Sequence, residues 1–150
     1  MATLDYYGSV GYATELLAQS EYHSKQPLGD YFRAEILPAL WANQARFYVT
    51  DDGLPTAMVT WAWLSNDIEK EVHHTGRALM QHEWNCGEHL FFNDWVTPYG
   101  NIREVMNDMT HNIFPNHIAT SLRRNPDNSV RRINRWTGVN LRKTRQEAVA

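Results

Sequence analysis

With 150 residues and a formal net charge of −3, the chain is long enough for a single domain with a substantial hydrophobic core. Its 43% hydrophobic and 21% charged residues are typical of a globular protein, and no apolar run reaches the length of a membrane span. The single cysteine, Cys86, excludes an intrachain disulfide, and the first residues show no secretory signal, so we expect a cytoplasmic protein in a reducing compartment.

The first half of the chain predicts two helices and a β-hairpin. Apolar residues at helical spacing predict a helix, and Pro27 opens a second one that Pro38 should end or kink. The turn signal Asp51-Asp52-Gly53 joins two strands with alternating apolar residues. We expect these elements over residues 10–19, 27–40, 46–50 and 56–64.

The second half predicts a helix, a central strand, a loop with a second helix, and two further strands. Large apolar groups on both faces are typical of a central strand, and there Asp94 is expected on the same face as Leu90 and Phe92. A carboxylate on an apolar face needs a partner or a raised pKa. We expect these elements over residues 66–81, 90–96, 102–114, 118–123 and 130–136.

Charge is unevenly distributed along the chain. Residues 1–119 carry six Lys and Arg against 15 Asp and Glu, whereas residues 120–150 carry eight against two. A basic C-terminal part predicts docking of an acidic partner: nucleic acid, a phosphate or an acidic protein. No helix-turn-helix, RNP or zinc-finger pattern accompanies the arginines, so nucleic acid is not favoured. From about residue 139 to 150 we expect a loosely ordered tail.

His23 lies in a polar break between the first two helices, where solvent is expected to reach it. Its unperturbed pKa of about 6.5 suits a general base or a nucleophile, and Asp94 could orient the ring. Ser20 could hold the ring or position an acyl group. The alternative is a surface histidine and an aspartate that bonds to the backbone.

Other motifs are weaker. His82, Cys86 and His89 have a spacing that a zinc site could use, but a second cysteine is missing and no metal is expected. Gly100 is the only glycine in the loop after the central strand. That loop is a poor match for one that cradles acetyl-CoA, and it better suits a phosphopantetheine arm on a protein. Tyr12, Trp61, Trp63 and Trp95 either line an acyl groove or form core.

Five ordered blocks closely resemble the RTX toxin-activating lysine acyltransferases, over about residues 10 to 138. The element order also resembles that of the acetyl-CoA-dependent acetyltransferases. The blocks are Ser20-x-x-His23, Leu37-Pro38-Ala39-x-x-Ala42-Asn43-Gln44, Trp61-Ala62-x-Leu64-Ser65, Trp84-Asn85-Cys86-Gly87-Glu88 running into Asp94-Trp95-Val96-Thr97-Pro98-Tyr99-Gly100, and Phe114-Pro115.

The resemblance implies a single acyltransferase domain over residues 1–150. Its fold would be α/β (α+β) and acetyltransferase (GNAT)-like, with a mixed central sheet flanked by helices. Such an enzyme takes a fatty acyl group from acyl carrier protein, with no bound cofactor. It transfers the group to internal lysines of an RTX protoxin in the cytoplasm, and it could form a homodimer.

The family's catalytic histidine matches His23, its aspartate matches Asp94, and Ser20 matches the preceding serine. Either His23 deprotonates the target lysine, or it carries the acyl group covalently. The donor is expected at Gly100, Asn101, Arg123 and Arg124, where a basic surface fits an acidic carrier protein.

The sequence departs from the family at three places: Ser24-Lys25-Gln26 lacks an Arg and a Trp, Thr60 replaces a serine, and Glu35 stands in place of an asparagine. Two alternatives therefore stay open. One is an acyl-CoA-dependent N-acyltransferase that acts on small amines. The other is a non-enzymatic module whose basic C-terminal face binds an acidic partner.

Overall fold

The structure, a computed structural model, describes residues 5–142. Its first half contains helix α1, a 3₁₀ turn, and a second helical segment in which a π-helical turn joins α2 to α3. A β-hairpin of β1 and β2 follows. The bounds are α1 Tyr6–Gln19, the 3₁₀ turn His23–Lys25, α2 Leu28–Tyr31, the π turn Phe32–Ile36, α3 Leu37–Trp41, β1 Ala45–Val49 and β2 Pro55–Leu64.

The second half continues with α4, a 3₁₀ turn and the strand β3. Helix α5, extended by a π-helical turn, then crosses over to the hairpin of β4 and β5. The bounds are α4 Asn66–Thr75, the 3₁₀ turn Gln81–Glu83, β3 His89–Val96, α5 Ile102–Asp108, the π turn Met109–Ile113, β4 Ile118–Arg124 and β5 Val130–Thr137. None of the helices in residues 5–142 is both long enough and apolar enough to cross a membrane.

The strands form one mixed sheet in the order β1-β2-β3-β4-β5. Strands β3 and β4 run parallel, as the α5 crossover between them requires, and the other neighbours are antiparallel. The strand predicted to be central is therefore central, and the predicted α/β fold of the acetyltransferase type is confirmed. Pairing between β3 and β4 extends no further than Phe92 and Ser121.

Both faces of the sheet are covered, which explains the two-sided apolar pattern of β2 and β3. One face packs against α5 and the π turn after it through Val105 and Met109. The other face packs against α1, α3 and α4. On that second face Leu16 and Ile36 are fully buried with Met58 of β2. This packing fixes the end of α1 and the start of the second helical segment over the sheet.

A β-bulge interrupts the side-chain alternation of β3. Asp94 pairs with Thr60, but the next residue of β2, Trp61, pairs with Phe92, so Asn93 is an extra residue. Phe92 packs on the α5 face, whereas Asp94 contacts the elements on the opposite face. The prediction that Asp94 and Phe92 share a face is wrong, because a strict period of two does not allow for an inserted residue.

Two predicted segments differ from the structure. The helix expected over 66–81 ends at Thr75. Gly76 is its C-cap residue: it adopts a left-handed conformation (φ 71°), and its N–H donates to the Val72 carbonyl. Of the tail that was expected to be loosely ordered, residues 139–142 form a helical turn. The Asn140 N–H donates to the Pro115 carbonyl there, while residues 143–150 lie outside the described part of the chain.

Candidate active site

Ser20 and His23 lie where α1 ends on the sheet. The Ser20 N–H closes the last turn of α1, and its side-chain oxygen accepts a hydrogen bond from the His23 N–H at 3.3 Å. The serine thus satisfies the N–H of the first residue of the 3₁₀ turn, whose N-cap is Tyr22. The three-residue spacing of Ser-x-x-His is what allows one side chain to contact both the backbone and the ring of His23.

The imidazole of His23 is held at both nitrogens. Nδ1 is 2.6 Å from Ser20 Oγ, and Nε2 is 2.7 Å from Asp94 Oδ1, across 71 residues of sequence. An ionised carboxylate can only accept, so Nε2 carries a hydrogen and Nδ1 of the neutral ring accepts from the Ser20 hydroxyl. The structure therefore brings together the three residues that the sequence singled out.

His23 is buried, contrary to the expectation that solvent reaches it. Its exposure is 8%, because the rings of Tyr22 and Tyr31 pack edge-on against it at 5.0 and 5.6 Å. Asp94 is equally buried at 8%. A buried ion pair or hydrogen-bonded pair interacts more strongly than one in water, so the pair is well placed to control a proton.

Tyr31 completes the shell around Asp94, and sequence reasoning missed it as a site residue. Its hydroxyl donates to Asp94 Oδ2, so both carboxylate oxygens are occupied. Burial, together with the Asp94 charge, raises the pKa of the Tyr31 phenol far above its usual range, so the hydroxyl stays a donor. The sequence offers one indication of this role: Tyr31 lies in the first turn of the helix that Pro27 opens, shortly after His23.

Glu35 is a second carboxyl beside the pair that was not predicted as a site residue. Its Oε2 accepts a hydrogen bond of 2.6 Å from the side chain of Asn93, the bulged residue next to Asp94. Burial raises the pKa of Glu35, and Asp94 adds to this, while the contact with Asn93 and the charge of Arg124 lower it. The carboxyl therefore belongs electrostatically to the same site.

The residues predicted to bind the donor lie at the end of the sheet where the parallel strands β3 and β4 finish. Gly100 has a positive φ of 78° in the turn after β3, and its N–H donates to Thr97 O. The side-chain nitrogen of Asn101 donates to Thr56 Oγ1 at 3.5 Å. The side-chain oxygen, Oδ1, is buried without a hydrogen-bond partner among the described residues. Donor binding there stays a prediction.

The two predicted arginines differ. Arg123 is exposed and faces Arg132 across the β4–β5 hairpin. Arg124 is partly buried, and both Nε and one terminal nitrogen donate to the Gly76 carbonyl at 3.2 Å, so it helps to hold the end of α4. Burial raises the pKa of Tyr22, the residue before His23, and the charge of Arg124 opposes this effect.

Other candidate groups lie apart from this site. Tyr12 bonds to the β1–β2 turn, whereas Trp61, Trp63 and Trp95 pack on the α5 face, so these four residues line no common groove. His89 pairs with Glu69. Among residues 5–142, no three His, Cys, Asp or Glu side chains are placed to hold a metal.

Comparison with known proteins bears on this site. The family model of the RTX toxin acyltransferases matches residues 3–137. The chain belongs to the RTX toxin acyltransferase family. Membership makes the chain an acyltransferase and confirms the resemblance of the five blocks.

Three relatives show the range of similarity. The RTX-I toxin-activating lysine-acyltransferase ApxIC of Actinobacillus pleuropneumoniae is 31% identical over 134 residues, 89% of this chain and 76% of that protein. The protein-lysine myristoyltransferase HlyC of Escherichia coli is 28% identical over 134 residues, 89% and 77% of the two chains. An uncharacterised protein of Synechocystis, sll0720, is 31% identical over 113 residues, 75% and 76% of the two chains.

Proposed function

We propose that this acyltransferase moves a fatty acyl chain from acyl carrier protein to an internal lysine of an RTX protoxin in the cytoplasm. The observation that carries the proposal is the buried imidazole of His23, held between Ser20 and Asp94 in a chain of this family. The names of ApxIC and HlyC, a toxin-activating lysine-acyltransferase and a protein-lysine myristoyltransferase, supply the acceptor and the acyl group by analogy.

The reaction requires removal of protons from the acceptor. A lysine ε-amine has a pKa of about 10.4, so it arrives as an ammonium ion and must lose one proton before it can attack. The new bond joins the lysine nitrogen to the acyl carbon, the thioester C–S bond breaks, and the carrier thiolate leaves and takes up a proton. In sum, thioester and ammonium give amide, thiol and one released proton.

In this mechanism His23 is the general base, and its Nδ1 is the nitrogen that receives the proton. Nε2 is turned to Asp94, whose carboxylate fixes the tautomer and stabilises the imidazolium that forms. Because Ser20 Oγ lies 2.6 Å from Nδ1, the serine hydroxyl can accept the amine proton while it passes its own proton to the ring. Ser20 then acts as a proton relay and needs no movement of His23.

The covalent alternative makes a different demand. An acyl group on Nδ1 would require Ser20 to leave the position that it holds against the ring. The base route keeps every hydrogen bond of the resting site, and this favours it. Tyr31 has the same part in both routes, since it holds Asp94 from the other oxygen.

The proposed carrier site is the end of the sheet that contains the carboxyl ends of β3 and β4. Exposed arginines there suit the acidic surface of an acyl carrier protein, and pairing between the two strands ends at Phe92 and Ser121, close to Asp94. A phosphopantetheine arm could reach the site beside this break. The residues in this proposal are Gly100, Asn101, Arg123 and Arg124, together with the exposed Arg131 and Arg132.

Intact-mass spectrometry tests the proposal. Purified protein is mixed with myristoyl- or palmitoyl-acyl carrier protein and a lysine-containing fragment of an RTX protoxin, alongside His23→Ala. We expect the fragment to gain one acyl mass with the wild type, and none with the variant. The matched control is His74→Ala, which removes an exposed imidazole of α4 and should transfer normally.

Two results would contradict the proposal. If acyl-CoA and a small amine support transfer while acyl carrier protein does not, the chain is a small-molecule N-acyltransferase. If His23→Ala transfers as fast as the wild type, the proposed base is wrong. An acyl mass on the enzyme itself, absent from the variant, would favour the covalent route over the base route.

A further inference from the structure

Glu35 is a carboxyl beside the proposed catalytic pair that the mechanism above does not use. It lies four residues after Tyr31, in the π-helical turn that follows α2. Both side chains reach the bulge of β3: Tyr31 bonds to Asp94, and Glu35 bonds to the neighbouring Asn93. One stretch of helix and one bulge therefore position both carboxyls, since Tyr31 bonds to Asp94 directly and Glu35 is held by the neighbouring Asn93.

Only one oxygen of Glu35 is engaged. Oε2 accepts from Asn93, and no residue within 5–142 donates a hydrogen bond to Oε1. The side chain is only partly exposed, so water does not fully solvate it. A carboxylate in such a position is costly unless a donor or a cation satisfies the remaining oxygen.

Residues 5–142 do not themselves supply that cation. The charge of Arg124 lowers the pKa of Glu35, but neither Arg124 nor His23 forms an ion pair with it. Arg124 directs two of its nitrogens at Gly76, and His23 is committed to Ser20 and Asp94. Burial and the Asp94 carboxylate disfavour the ionised form of Glu35, and a cation bound at the free oxygen would restore it.

We propose that Glu35 binds the ε-ammonium group of the acceptor lysine through this free oxygen and so delivers the nitrogen to Ser20 and His23. The site then selects a cationic primary amine over a neutral acceptor of the same length. The inference rests on the proposed function, because it names the residue that recognises the acceptor of that reaction. Asn93 orients Glu35 from the bulge, just as Tyr31 orients Asp94.

Glu35→Gln is the sharpest test, because the amide keeps the size of the side chain and its oxygen can still accept from Asn93. We expect the KM for a lysine-containing RTX protoxin fragment to rise by about tenfold or more, the loss typical of a charge-assisted contact, with kcat within about threefold of the wild type. Glu35→Asp keeps the negative charge on a side chain that is one methylene shorter, so its KM should lie between those of the wild type and Glu35→Gln.

The matched control is Glu15→Gln, which removes the same charge from an exposed position on α1 and should change neither constant. A KM for Glu35→Gln equal to that of the wild type would overturn the inference and leave the proposed function standing. So would a loss of kcat at unchanged KM, because that pattern indicates a role in the chemical step or in structure.

A binding measurement separates the inference from transferase activity. In NMR titrations at neutral pH, n-butylammonium, which has the length of a lysine side chain, should shift the side-chain amide signals of Asn93 in the wild type and not in Glu35→Gln. Neutral n-butanol should shift neither protein. If the wild type transfers no acyl group, the proposed function fails, and these shifts alone decide whether Glu35 binds an ammonium ion. Equal shifts in both proteins would refute the role of Glu35.

Discussion

Asp94→Asn isolates the charge of Asp94 from its shape. The amide oxygen of asparagine can still accept from His23 Nε2, and its amide nitrogen can donate to the Tyr31 oxygen once the phenol rotates. The hydrogen bonds of the network therefore survive, although the polarity of the contact with Tyr31 is reversed. What the variant loses is the negative charge that faces the imidazolium in the transition state.

The distance in the structure sets the size of the effect. Nε2 and Oδ1 are 2.7 Å apart. With charge spread over each group, the centres lie about 4 Å apart, and at an effective dielectric constant of about 20 two unit charges attract by about 4 kcal/mol. At about 1.4 kcal/mol per factor of ten, we expect kcat to fall by about a thousandfold.

The assay is acyl transfer from myristoyl-acyl carrier protein to a protoxin fragment under single-turnover conditions, with thermal unfolding measured in parallel. Because the side chain keeps its volume and partners, the melting temperature should fall by only a few degrees. A variant that keeps more than about a tenth of the wild-type rate would refute the idea that Asp94 stabilises charge on His23. A large loss of stability would instead indicate that the carboxylate is needed for folding.

Other predictions concern the support of the site and the fold. Tyr31→Phe removes the donor to Asp94 Oδ2, so we expect about 1.5–3 kcal/mol of lost stability in chemical unfolding and a reduced kcat. Glu83→Gln removes the charge of a buried carboxylate and replaces one of the two oxygens that accept hydrogen bonds of 2.8 and 2.9 Å from Arg77, so it should cost about 1–3 kcal/mol. Arg77 lowers the pKa of Glu83, so this contribution is present above the unfolded-state pKa of about 4.3 and is lost as pH falls through the lower folded-state value. Below about pH 4 the stability of the wild type should therefore approach that of Glu83→Gln, and a constant difference down to pH 2 would contradict this. Gly76→Ala places a Cβ 2.9 Å from Val130 Cγ2 in a left-handed backbone and should lower the free energy of unfolding by about 1–2 kcal/mol, whereas Gly11→Ala, in open space on α1, should not.

Much of the fold follows from local signals in the sequence. The two-sided apolar pattern identified β3 as the central strand, and turn residues placed both hairpins within a residue or two. The end of α4 was missed although Gly76 is a recognisable cap, because the helical pattern appeared to continue beyond it. The partner of Asp94 in the first helical segment, Tyr31, depends on how α2 packs on the sheet, which periodicity does not report.

The sequence blocks that resemble the family are of two physical kinds. Ser20-x-x-His23 and Asp94 form the hydrogen-bonded site. Gln44 instead donates to the Trp61 and Trp84 carbonyls and so ties β2 to the segment before β3. Gly87 lies where a Cβ would stand 2.3 Å from the Leu64 backbone, which explains a glycine at that position. A motif search alone does not separate chemistry from such packing.

The bulge at Asn93 is the feature on which the site depends most and the one that the sequence least reveals. In a regular strand, Asp94 would share a face with Phe92 and point into the aromatic packing against α5, while His23 on the other face would lack its carboxylate. One inserted residue turns Asp94 toward His23, and the side chain of that residue holds Glu35 on the same side. The bulge thus places both carboxyls, one for the imidazole and, by our proposal, one for the incoming ammonium ion.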